Sequence, residues 1–124
     1  MKINRQQVYD KYDGHCAYCG KEISIKQMQV DHYYPKSAPA VGLVNGVSTD
    51  DIKNLMPSCR NCNHYKRALQ PESFRFYIKT LHERVMKIYI VKVAIDFGIV
   101  KIKPFDGEFY FEYVERMKSQ YLKP

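Results

Sequence analysis

Residues 4–12 are mostly polar, with Val8 and Tyr12 four apart and Asp13-Gly14 behind them as a stop. That pattern predicts a short helix. After Cys16-Ala-Tyr-Cys19-Gly20, the β-branched residues Ile23, Ile25 and Val30 lead into Asp31-His32 and predict an extended ribbon. Residues 35–49 hold Pro35, Pro39, Gly42 and Gly46 and few large side chains, the composition of a long flexible loop. Ser48 and Asp51 stand at capping-box spacing and predict a helical turn just before Asn54. No helix breaker falls within residues 60–67, and Pro71 marks a new start.

Beyond Pro71, Phe74, Ile78, Leu81, Val85, Ile88 and Ile95 fall mostly three or four apart, which favours an amphipathic helix broken once. The run 88–95 is largely β-branched and fits a strand equally well. After Gly98, the runs 99–103 and 108–114 flank Pro104-Phe-Asp-Gly107 and predict a β-hairpin whose edge is a candidate homodimer contact. The expected organisation is therefore a first domain, residues 1–70, and an extension, residues 71–124, of helix plus hairpin packed on it. Its many aromatic residues, Phe74, Phe76, Tyr77, Phe105, Phe109 and Phe111 among them, suit packing better than base stacking.

At 124 residues and 14.7 kDa the chain has room for one compact domain or a small domain with an extension, so large multidomain enzymes are excluded. A formal charge of +7 suits a polyanionic partner such as nucleic acid without requiring one. The first 13 residues lack the apolar core of a signal peptide, and the longest uncharged run, 37–49, is too short to span a bilayer. The expectation is a cytoplasmic protein with no membrane partner.

Four cysteines sharpen the picture. Cys16 and Cys19 form one Cys-x-x-Cys, Cys59 and Cys62 another, with 39 residues between the pairs. Each pair can bring both thiolates to one ion, and two such knuckles complete a tetrahedral Zn²⁺ site. Two disulfides or a redox dithiol compete less well, because nothing points to an oxidising compartment and a redox motif is not expected twice. A saturated four-cysteine site leaves no open coordination position, so this zinc is a staple and not a catalyst.

Between and beside the knuckles lie Asp31-His32, Asn54 and Asn63. The order Cys-x-x-Cys, Asp-His, then Asn-Leu-x-Pro-x-Cys-x-x-Cys-Asn-x-x-Lys resembles the zinc-containing branch of the HNH endonucleases, a ββα-metal or His-Me finger family, over about residues 4–80. The resemblance implies an α+β protein with a ββα-metal core stapled by zinc, acting as a metal-dependent endonuclease on DNA that leaves 5′-phosphate and 3′-hydroxyl ends. It makes His32 the general base, Asn54 the middle residue that steadies the loop and His32, and Asn63 the counterpart of the family's last His, an HNN variant. It makes Asp31 and Asn63 the ligands of one catalytic Mg²⁺ or Mn²⁺; an amide oxygen in place of an imidazole suits a hard cation.

Elementary chemistry runs the same way. Phosphodiester hydrolysis needs an activated water and neutralisation of charge on the phosphate and departing oxygen. The imidazole of His32 can accept the proton of water. Asp31 and His32 are adjacent, so on an ideal strand they face opposite ways, and a shared site calls for a twist or bulge. Lys66 and Arg67, three and four residues after Asn63, share its helical face and are candidates to bind flanking phosphates; a solvated helix end explains them as well. His64 points away from Asn63 and reads as surface, and His15 and His82 read as structural. The competing function is a non-catalytic zinc-ribbon module that binds nucleic acid, which explains the cysteines and the charge but not Asp31, His32 and Asn63.

Overall fold

The computed structural model describes residues 3–36, 43–44 and 47–122. The chain divides into two compact units, one made of Met1–Pro71 with Phe109–Pro124, the other of Glu72–Glu108. The expected loop over residues 35–49 lies largely outside the described residues, apart from a short antiparallel pair, β2 (Leu43–Val44) and β3 (Val47–Ser48).

In the first unit, helix α1 (Arg5–Asp10) starts where the Asn4 side chain accepts the Gln7 amide at 3.1 Å, and it buries Val8 completely. It stops as predicted. Asp13 and Gly14 take positive φ values of 52° and 79°, and a Cβ on Gly14 would lie 2.7 Å from the Tyr9 hydroxyl, so only glycine fits there. The first cysteine knuckle follows, and its Ala17 amide donates to Pro57 O at 2.8 Å. The ribbon is real: β1 (Gln29–His32) pairs antiparallel with β4 (Leu55–Ser58), Gln29 opposite Ser58 through His32 opposite Leu55. A 3₁₀ turn, Ile52–Asn54, leads into β4, capped by the Asp51 carboxylate on the Lys53 amide at 2.9 Å. Helix α2 (Arg60–Lys66) then lies against β1, completing a ββα unit.

The predicted hairpin does not form. No strand occurs among the described residues after β4, and α6 (Tyr110–Leu122) occupies the second arm. A turn in which Asp106 accepts the Glu108 amide at 2.9 Å leads into the helix, and there Glu112 accepts the Phe109 amide at 2.9 Å, capping the helix start. The candidate dimer edge disappears with the hairpin. This last segment belongs to the first unit, where the Tyr110 and Phe111 amides donate to Tyr18 O and Ala17 O at 3.2 and 2.8 Å. Phe109 is fully buried and meets the Tyr18 ring edge-on at 5.3 Å; Phe111 meets Tyr33 at 5.4 Å. Tyr33 thus packs, as its ribbon position suggests.

The second unit is helical: α4 (Leu81–Val85) and α5 (Tyr89–Asp96) lie wholly within it, and α3 (Pro71–Lys79) begins at its border. The single expected break is in fact two, and of residues 88–95 all but the extended Ile88 resolve as helix despite their β-branching. Gly98, with φ of 73°, ends α5 as the Ile99 amide turns back to Ala94 O at 2.9 Å.

Candidate metal centre and nuclease site

The four cysteine sulfurs all lie within 4.8 Å of one another, and Cys19 Sγ is 3.9 Å from Cys59 Sγ. Tetrahedral zinc with bonds of about 2.3 Å requires sulfurs about 3.8 Å apart, so the cluster could hold zinc with little adjustment. Two local devices build it. The first knuckle closes by the Gly20 amide donating to Cys16 O at 3.0 Å, with Gly20 at a φ of 83°. Cys59 is the N-cap of α2, its sulfur accepting the Cys62 amide at 3.4 Å. Hydrogen bonds from Cys19 and then Cys62 hold the Cys16 thiol far below its ordinary range, while the same bonds push the Cys19 and Cys62 thiols above theirs, so the sulfurs act as one coupled cluster.

Asp31 is 4% exposed. Its Oδ2 accepts the Tyr18 hydroxyl at 2.5 Å and lies 3.1 Å from Lys66 Nζ. Burial raises the Asp31 carboxyl above the usual range, opposed by Lys66, by the Tyr18 hydrogen bond and by the nearby His32. Burial and the Asp31 charge push the Tyr18 hydroxyl strongly upward, so it donates as a neutral phenol. Lys66, 0% exposed, also donates to His32 O at 3.0 Å. Its expected role on flanking phosphates is therefore corrected: the ammonium is committed inside the protein. Arg67 is exposed but lies past the helix end at a φ of 49°, so the helical-face argument that joined it to Asn63 fails.

The straight register of β1 contains no bulge, so Gln29 and Asp31 face α2 while His32 takes the other face. Asn63 Nδ2 donates to Gln29 Oε1. His32 Nε2 meets Asp50 Oδ1 at 2.7 Å, and that hydrogen bond holds the Asp50 carboxyl below its usual range. Asn54, nearly buried, spans the loop: its Oδ1 accepts the Tyr34 amide at 2.8 Å, and its Nδ2 donates to Tyr34 O at 3.0 Å and Thr49 O at 2.8 Å. His64 is exposed. His15 stacks on Tyr110 at 5.2 Å.

Gln29, Tyr18 and Asp50 are the participants that sequence reasoning missed. The two-residue period of the ribbon from Asp31 points to Gln29, and Tyr18 lies inside the first knuckle; Asp50 carries no comparable signal.

Fold and site define a small α+β protein whose ββα unit and cysteine cluster fit the ββα-metal class. Residues 16–68 match the HNH endonuclease family. No curated protein shows significant similarity to the chain. Among solved structures, the Type II-C Cas9 enzyme from Actinomyces naeslundii superposes with a TM-score of 0.48 at 20% identity; the match covers 81% of this chain and 11% of that one. No helix among the described residues is long and apolar enough to cross a membrane.

Proposed function

We propose that the protein is a divalent-metal-dependent endonuclease that hydrolyses phosphodiester bonds of DNA. The observation that carries this reading is the seam between β1 and α2. Asp31 and Gln29 share a strand face, Asn63 on α2 bonds Gln29, and neither Asp31 Oδ1 nor Asn63 Oδ1 makes a hydrogen bond among the described residues. A carboxylate oxygen and an amide oxygen are ligands for a hard cation such as Mg²⁺ or Mn²⁺. When bound, such an ion neutralises charge on the phosphate and on the departing 3′ oxygen.

His32 would accept the proton of the attacking water. With Nε2 held by Asp50, Nδ1 is the nitrogen left for that proton, and the Asp50 carboxylate stabilises the imidazolium that results. His32 is the last residue of β1, directly after Asp31 at the end of the strand, opposite Leu55. Asn54 fixes residue 34 to residue 49 and so limits the freedom of the chain next to His32. The excess of basic residues favours a polyanionic substrate, and 5′-phosphate and 3′-hydroxyl products follow from the family.

Plasmid nicking by wild type and His32→Ala, zinc-loaded, with and without Mg²⁺ or Mn²⁺, tests this. Cleavage should require the added ion and vanish in the variant while DNA binding persists. Intact plasmid with wild type at every salt concentration, but tight DNA binding, would replace the reading with a zinc-stabilised binding module.

A further inference from the structure

We infer that Tyr18 is a positioning residue for Asp31: its hydroxyl, together with the Lys66 ammonium, clamps Oδ2 and leaves Oδ1 as the single oxygen available to a divalent ion. The inference rests on the reading of Asp31 as a ligand of that ion. Tyr18 sits between Cys16 and Cys19, so its backbone is fixed by the first knuckle, and Lys66 ends the helix that Cys59 caps. Both arms of the clamp therefore hang from the cysteine cluster, one from each knuckle. The Tyr18 ring is immobilised as well, by Phe109 at 5.3 Å and Phe111 at 6.3 Å, both edge-on, and its carbonyl accepts the Tyr110 amide at 3.2 Å. Its hydroxyl donates to Oδ2 at 2.5 Å.

A phenol is well suited to this position. It orients the carboxylate without adding a charge that would compete with the ion, and a clamped Oδ2 prevents the two-oxygen chelation that large cations favour. The geometry selects small, six-coordinate ions over Ca²⁺.

Mn²⁺ binding to zinc-loaded protein, followed by the paramagnetic resonance signal of the free ion, tests the clamp in wild type, Tyr18→Phe and Asp31→Asn. Tyr18→Phe should weaken binding about tenfold, with zinc content and melting temperature retained, and Asp31→Asn should weaken it at least as much. Wild-type affinity in Tyr18→Phe beside a loss in Asp31→Asn overturns the clamp and leaves Asp31 a ligand. Unchanged binding in Asp31→Asn overturns both. If Tyr18→Phe loses its zinc, calorimetric titration of the wild type with Mn²⁺ and Ca²⁺ decides: weaker binding of Ca²⁺ supports the clamp, and equal or tighter binding overturns it.

Discussion

Replacing Lys66 by methionine keeps the volume of the side chain and removes its charge. On the surface such a change would cost about 0–1 kcal/mol. Lys66 is fully buried, however, with Asp31 Oδ2 at 3.1 Å and His32 O at 3.0 Å. Losing it strands a buried carboxylate and a carbonyl, and breaking a buried pair from one side costs about 3–5 kcal/mol. For a chain of this size, where 1 kcal/mol moves the midpoint by about 4 °C, the melting temperature should fall by about 12–20 °C. Adding Asp31→Asn removes the stranded charge and should recover most of the loss, a coupling of about 2–3 kcal/mol in the double-mutant cycle. Urea and thermal denaturation at fixed zinc concentration read both quantities. A loss below about 1 kcal/mol for Lys66→Met, or no recovery in the double variant, would refute the buried pair.

Three further outcomes are expected. The protein should purify with about one zinc per chain by atomic absorption; a strong chelator or Cys59→Ser should abolish the cooperative melt of the unit that contains α1 and the ribbon. Asn54→Ala, which deletes three side-chain hydrogen bonds in a nearly buried loop, should cost about 3 kcal/mol in urea denaturation and slow plasmid nicking without removing zinc. Burial, then the Glu115 charge, raises the Tyr12 hydroxyl to about 12. Because the unfolded chain releases this proton near pH 10 and the folded one near 12, Tyr12 should withdraw stability as pH rises through that interval, by about 1–2 kcal/mol at its end after solvent screening. The difference in melting temperature between wild type and Tyr12→Phe from pH 9 to 12 measures this.

The parts of the site that were legible are those in which residue type and spacing carry the chemistry themselves. Two Cys-x-x-Cys pairs point to a metal cluster by their spacing, and Asp31, His32, Asn54 and Asn63 stand out as candidates by their order around the knuckles. Lys66 was misread because helical spacing gives a direction around the axis and says nothing of what covers that face; β1 covers it. The hairpin failed for a related reason. Residues 108–114 have strong intrinsic β-preference, but Phe109 and Phe111 find their partners on Tyr18, and the carboxylate of Glu112 caps a helix instead. Asp50 was out of reach, since its contact with His32 depends on how the loop returns across residues 33–49.

The return of residues 109–111 to the first knuckle has a consequence for biosynthesis. Contacts between Tyr18 and Tyr110, 92 positions apart in the chain, cannot exist while the first 71 residues are leaving the ribosome. The ring of Tyr18 waits uncovered until Phe109 and Phe111 arrive. The aromatic core around Tyr18 thus closes only after residue 111 has emerged, and a synthesis halted before residue 109 would release a product with its cysteines in place and that core open to water.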